Sequence, residues 1–134
     1  MIRTFGHIGI TVGDFERSLR FYRDVLELEV ARTMEMAGGG RIVFLSIHGH
    51  GEIELFGYPS PQPMPEAVLQ PRVIGFKHLA LRVEDMEGAV AWLKAKGVAF
   101  DSEPTPERRR AVFRDPDGLP IELTMRAPTP PASR

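Results

Sequence analysis

Four side chains of this 134-residue chain are of the types that bind metal ions. Two histidines, His7 and His78, lie in similar contexts 71 residues apart, and two glutamates, Glu54 and Glu122, lie in a repeated triplet, IEL. Imidazole nitrogens and carboxylate oxygens together suit divalent first-row metals. Two carboxylates close together in a cleft repel each other unless a cation neutralises them. If the four side chains meet, we expect a divalent metal ion among them.

The elements that must position these residues occur twice. Period-two alternation predicts a first strand in each half, at Ile8, Ile10 and Val12 and at Leu79, Leu81 and Val83. Helix-face spacing follows, at Phe15, Leu19 and Tyr22 and at Met86, Val90 and Leu93, after the N-cap residues Asp14 and Asp85. Further strand-like runs end each half, so each half is predicted to be a βαβββ module.

Strand alternation also predicts which side chains share a face. In the first strands the apolar residues point to the helix, which leaves His7 and His78 on the opposite face. In the last strands of the two halves, Ile53, Leu55, Ile121 and Leu123 take the helix side. The carboxylates of Glu52, Glu54 and Glu122 then lie on the face of the histidines. A single strand histidine is usually structural, but the repetition favours a metal site.

The modules are predicted at 1–57 and 74–126, joined by a proline-rich linker at 58–73 and followed by a disordered polar tail at 127–134. We expect one α+β domain over 1–126, in which the modules pair into a curved mixed sheet with helices on its outer face. Open sheet edges favour a homodimer, with modules paired within one chain or swapped between chains.

Composition narrows the classes of function. The net charge is −1, and no run of 18 apolar residues or signal-peptide core occurs, so we expect no nucleic-acid partner, no membrane and a cytoplasmic location. The chain has no cysteine, which excludes thiolate catalysis, disulfides and sulfur-ligated metals.

The stretches HIGITVGDFERSLRFYRDVL, IELFGYP, HLALRVEDMEGAVAWLKAKGV and FRDPDGLPIEL resemble the vicinal oxygen chelate superfamily over nearly all of residues 2–125. That superfamily includes glyoxalase I, methylmalonyl-CoA epimerase, extradiol dioxygenases, and fosfomycin and bleomycin resistance proteins. The resemblance implies one divalent ion (Ni, Zn, Mn, Co or Fe) per site, held by His7, Glu54, His78 and Glu122.

The resemblance favours a glyoxalase I-like lyase or isomerase, in which Glu122 and Glu54 are also the catalytic carboxylates. A four-ligand set leaves two positions of a six-coordinate ion for a small substrate with two neighbouring oxygens. A fourth protein ligand counts against the dioxygenases and the fosfomycin-type transferases, which use three. The sequence leaves three further hypotheses open: an epimerase of 2-acyl-CoA thioesters, a metal-free, bleomycin-type drug-binding protein, and a ring-cleaving dioxygenase.

The sequence also predicts roles for residues outside the set of metal ligands. We expect Thr11, Phe56 and Arg82 to contact the substrate, for which a glutathione or CoA thiol adduct is a candidate. His48 and His50, in a glycine turn, are interpreted as solvated residues outside the metal site. The run Arg108–Arg110 is interpreted as a solvated loop, with binding of a phosphate or carboxylate as the competing hypothesis.

Overall fold

A computed structural model describes residues 1–125, and the tail predicted at 127–134 lies outside these residues. The chain divides into two compact units, the first ending at Val68 and the second beginning at Leu69. This division falls inside the predicted linker, where Glu66–Leu69 forms a short 3₁₀ turn. Each unit is a separate body with its own sheet and helix.

Both units contain the same order of elements, which confirms the α+β class and the repeated βαβββ module. The first unit contains β1 (His7–Thr11), α1 (Phe15–Arg20), β2 (Glu29–Glu35), β3 (Arg41–Ser46) and β4 (Glu52–Gly57). The second contains β5 (Leu79–Arg82), α2 (Met86–Ala95), β6 (Phe100–Ser102), β7 (Arg110–Arg114) and β8 (Pro120–Thr124).

The two predicted N-caps form as expected. Asp14 accepts a hydrogen bond from the backbone N–H of Arg17, and Asp85 accepts one from that of Gly88. Each carboxylate thus satisfies one of the N–H groups that a helix start leaves unpaired. The caps therefore fix where the helix of each module begins after its first strand.

The first helix differs from the prediction in its second half. After Arg20 the backbone widens into a π-helical turn, Phe21–Val25, in which the N–H of Leu26 donates to the carbonyl of Phe21. Tyr22 is still fully buried. The predicted apolar face is therefore kept, although the regular helix is shorter than its spacing suggests.

Each unit forms one four-stranded mixed sheet. The strand orders are β1-β4-β3-β2 and β5-β8-β7-β6, and the first and last strands of each module pair in parallel. In register, Gly9 faces Glu54 and Ala80 faces Glu122. The last strand of each module therefore lies directly beside its first strand.

Burial confirms the predicted strand phase. Ile53 and Leu55 in β4, and Ile121 and Leu123 in β8, are at most 3% exposed, whereas the intervening Glu54 and Glu122 are only partly buried. The apolar side chains lie on the sheet face that packs against the helix. The opposite face, here called the open face, carries the polar side chains. No helix among residues 1–125 is long and apolar enough to cross a membrane.

Candidate metal centre

In the first unit, His7 and Glu54 come together on the open face. The Nε2 atom of His7 lies 3.2 Å from the Oε2 atom of Glu54. Glu54 faces Gly9 across the parallel strands, one pleat along from His7, so no Cβ stands between the two side chains. The side chain of His7 is 51% exposed and that of Glu54 is 13% exposed. Solvent and small ligands therefore reach the pair from the side of the imidazole.

A supporting cluster surrounds this pair. The rings of Phe44 and His7 form a T-shaped pair, with ring centroids 5.7 Å apart and planes at 85°. The guanidinium of Arg32 covers Phe44 at 3.7 Å from the ring centroid and donates two hydrogen bonds, at 3.1 and 3.0 Å, to the carboxylate of Glu52. Arg32 thus connects Glu52 to the aromatic ring that contacts His7.

In the second unit, His78 and Glu122 form the matching pair. The Nε2 atom of His78 lies 3.6 Å from Oε2 of Glu122, and their side chains are 46% and 14% exposed. The same oxygen accepts a hydrogen bond from Nη1 of Arg110 at 3.4 Å. Glu122 is thus shared between an imidazole and a guanidinium, an arrangement different from that around Glu54.

The donor geometry of each pair fits a divalent ion. Two ligands on adjacent corners of an octahedron, each about 2.1 Å from the metal, are roughly 3.0 Å apart. The separation of 3.2 Å in the first pair is close to this value, and that of 3.6 Å in the second pair is longer. Among residues 1–125, no group of three or more His, Cys, Asp or Glu side chains is gathered closely enough to hold a metal. Each unit therefore supplies two ligands of a compatible type and spacing.

The predicted substrate-binding residues lie one pleat beyond the ligand pairs. Thr11 faces Phe56 in the first unit, and Phe56 stacks on Tyr58 with ring centroids 5.7 Å apart. Arg82 faces Thr124 in the second unit. All of these positions are on the open face.

The two remaining histidines are outside both pairs. His48 and His50 lie in the exposed turn between β3 and β4, where the N–H of Gly49 donates to the hydroxyl of Ser46. Like the rest of residues 1–125, they belong to no group of three or more potential metal ligands.

Sequence reasoning missed Phe44 and Arg32. The run RIVFLSI is apolar on both faces, so alternation gives no signal for Phe44. Arg32 lies on β2, which is exposed along its whole length. The opposite charges of Arg32 and Glu52 could have suggested an ion pair. That inference, however, requires knowing how β2 pairs with its neighbour.

The comparisons with known proteins agree with this fold. Residues 4–123 match the model of the Glyoxalase/Bleomycin resistance protein/Dioxygenase superfamily, and the chain belongs to that superfamily. Of the paired residues, His7 lies in β1, Glu54 in β4 and Glu122 in β8, and His78 immediately precedes β5.

Among relatives, the chain is 37% identical to the uncharacterized protein YaeR of Escherichia coli (strain K12), with 87% of this chain and 92% of that protein covered. It is 30% identical to a probable lactoylglutathione lyase of Synechocystis sp., with 87% and 91% covered. Among solved structures, the trypanothione-dependent glyoxalase I of Leishmania major is 29% identical, with 92% and 87% covered and a TM-score of 0.72. The superfamily includes lyases of the glyoxalase kind.

Proposed function

We propose that this protein is a metal-dependent lyase or isomerase of the glyoxalase I kind. It transfers a proton at the carbon next to a carbonyl, on a small substrate that chelates the metal through two oxygens. The observation that carries the proposal is the repeated pair, His7 with Glu54 and His78 with Glu122, at separations of 3.2 and 3.6 Å. Similarity to lactoylglutathione lyases supports the reaction class.

In this proposal the two pairs supply the four ligands of one divalent ion. The ion, when bound, supplies Lewis-acid stabilisation of negative charge on the substrate oxygens. The two histidines contribute the Nε2 atoms that lie beside Glu54 and Glu122. The nearby apolar ring of Phe56 excludes water from one side of the substrate. A homodimer and a thiol adduct of glutathione or CoA as substrate are also part of the proposal.

Glu122 is proposed as the group that takes the proton. Its Oε2 atom lies near both Nε2 of His78 and Nη1 of Arg110, so Arg110 holds the carboxylate in place in addition to the imidazole. Its side chain is 14% exposed, which limits access of water to the basic oxygen. Glu54 has the matching position beside His7 and is the alternative base.

Metal stoichiometry tests whether the pairs act together. After dialysis against Ni²⁺, Zn²⁺ or Mn²⁺, the protein should retain close to one ion per chain. If the two pairs share one ion, His7→Ala should remove nearly all of the metal. If each pair binds its own ion, the wild-type protein should hold up to two ions per chain and the variant about one. A wild-type protein that retains no metal would reject the enzyme and leave a metal-free binding protein.

The exchange of single oxygens tests the role of Glu122. Glu122→Gln should keep most of the metal but lower turnover of a 2-oxoaldehyde hemithioacetal, or of a 2-acyl thioester, by about 10²- to 10⁴-fold. Glu54→Gln should have a smaller effect on turnover. Glu87→Gln is the control for loss of one carboxylate, since Glu87 is exposed in the first turn of α2, away from both pairs. Normal turnover in the Glu54/Glu122 double variant would reject proton abstraction by either carboxylate.

A further inference from the structure

A row of polar side chains crosses the second sheet next to Glu122. Thr124 faces Arg82 on one neighbouring strand and Arg110 on the other. Directly opposed residues share a face, so all three lie on the open face with Glu122. Thr124 is two residues beyond Glu122, roughly 6.8 Å along the strand. We call Arg82, Thr124 and Arg110 the cationic row.

The equivalent row of the first sheet is uncharged. There Phe56 faces Thr11 and Ile42 across its two neighbouring strands, and Phe56 stands two residues beyond Glu54. Both modules therefore have a histidine and a glutamate at matching positions, but the residues of the neighbouring row differ between them. A structural requirement of the module does not explain two arginines at these places, because the first module forms without them.

The cationic row has unused hydrogen-bond donors. Arg82 makes no side-chain hydrogen bond or ion pair with any residue of 1–125, and Arg110 uses Nη1 for its contact with Glu122. A guanidinium has five N–H groups, so most donors of both arginines have no hydrogen-bond partner among residues 1–125. Strand spacing puts the two Cα atoms about 10 Å apart, a gap that two arginine side chains can close around one anionic group.

We propose that the cationic row binds a second, anionic group of the substrate, a carboxylate or phosphate a few bonds from the two oxygens that chelate the metal. Arg110 and Thr124 are then specificity-determining residues. This inference rests on the proposed function, because it takes the chelating oxygens to lie beside Glu122. Within that function it selects substrates that carry an acidic group beyond the two chelating oxygens, and 2-oxo acids with and without such a group are simple binding probes for this selection.

Two probes that differ in one group test this inference. 2-Oxoglutarate and 2-oxopentanoate share the chelating 2-oxo acid and a five-carbon chain, but only the first has a distal carboxylate. By calorimetric titration of the Ni²⁺-loaded protein, 2-oxoglutarate should bind about 10- to 100-fold more tightly, the range expected for hydrogen bonds between charged groups. Arg110→Met should abolish most of this preference, and Arg110→Lys should restore part of it.

Arg114→Met is the matched control. Arg114 is on the same strand and face as Arg110, but its guanidinium is held by Asp101 at 2.6 Å and by the carbonyl of Gly118 at 2.9 Å. This variant loses the same charge and should keep the preference. Equal affinity of the wild-type protein for the two probes, or a full preference in Arg110→Met, would overturn the inference.

Metal content is measured on each sample, and the titrations are repeated without metal. A protein that binds Ni²⁺ but does not prefer 2-oxoglutarate refutes the cationic row alone. A protein that binds no Ni²⁺ refutes the proposed function. In that case the preference for 2-oxoglutarate measured without metal tests whether the cationic row binds an anionic group.

Discussion

Alanine substitutions at His78 and Leu79 separate the two faces of the second sheet. The residues are adjacent in sequence, but Leu79 is only 9% exposed and belongs to the core, whereas the side chain of His78 is 46% exposed on the open face. Leu79→Ala should therefore lower stability and leave metal binding intact. His78→Ala should do the reverse.

The expected losses of stability follow from how deeply the two side chains are buried. Replacing a buried leucine by alanine costs about 2–5 kcal/mol, and the position of Leu79 on an edge strand, where neighbours can relax, favours about 2–3 kcal/mol. His78→Ala loses an exposed pair with Glu122, which is worth about 0–1 kcal/mol. For a chain of this size these values correspond to decreases in Tm of roughly 10 °C and at most about 4 °C.

Thermal unfolding with and without metal measures both stability and metal binding in one assay. In the presence of EDTA, the difference in Tm between the variants reports packing alone. Adding Ni²⁺ at about 100 times its Kd should stabilise the wild-type protein by about 2.7 kcal/mol. Leu79→Ala should retain this increase. His78→Ala should lose it, because removal of a ligand weakens binding beyond the roughly 10- to 100-fold typical of outer-shell changes.

The opposite pattern would refute the strand phase. If His78→Ala unfolds in EDTA at a much lower temperature and still gains stability from Ni²⁺, His78 is a structural residue. If Leu79→Ala melts like the wild-type protein but fails to respond to Ni²⁺, the ligand-bearing face has been assigned to the wrong set of residues.

Two further substitutions test the geometry around the pairs. A Cβ on Gly9 would stand 2.9 Å from the ring of Phe56 and 3.6 Å from Oε2 of Glu54, so Gly9→Ala should move the ring and lower Ni²⁺ affinity several-fold in a metal titration. The control, Ala80→Gly at the matching place, should leave Ni²⁺ affinity unchanged. Equal losses of affinity in both variants would contradict the argument that a Cβ at Gly9 crowds the site. Asp85→Ala removes the cap of α2 and should cost about 1 kcal/mol in denaturant unfolding without changing metal content; an unchanged midpoint would show that the cap is dispensable.

The repeated module could be predicted because its signals are local. Alternation and helix spacing report which side chains face a core, and Asp14 and Asp85 report where the helices begin. Those patterns were sufficient to put His7 and His78 on the open face. They needed no knowledge of which strands pair.

The supporting contacts could not be predicted because they depend on the register between paired strands. Phe44 is 6% exposed although it shares the open face with Glu54, and it is buried by Arg32 from β2. The register of β2 against β3 shifts between Val30 and Arg32. Such an irregularity decides which side chain covers Phe44, and residue types alone do not predict it.

The register of the parallel strands explains how two copies of different length keep the same pair. The histidine and glutamate are 47 residues apart in the first module and 44 apart in the second. In both, the glutamate faces the residue two positions after the histidine, Gly9 or Ala80. A slip of one residue would turn the carboxylate to the helix face, where it would be buried without a partner. Changes in loop length are therefore absorbed outside β1 and β4 or β5 and β8, while the row beyond each pair is free to differ, as Phe56 and Thr124 do.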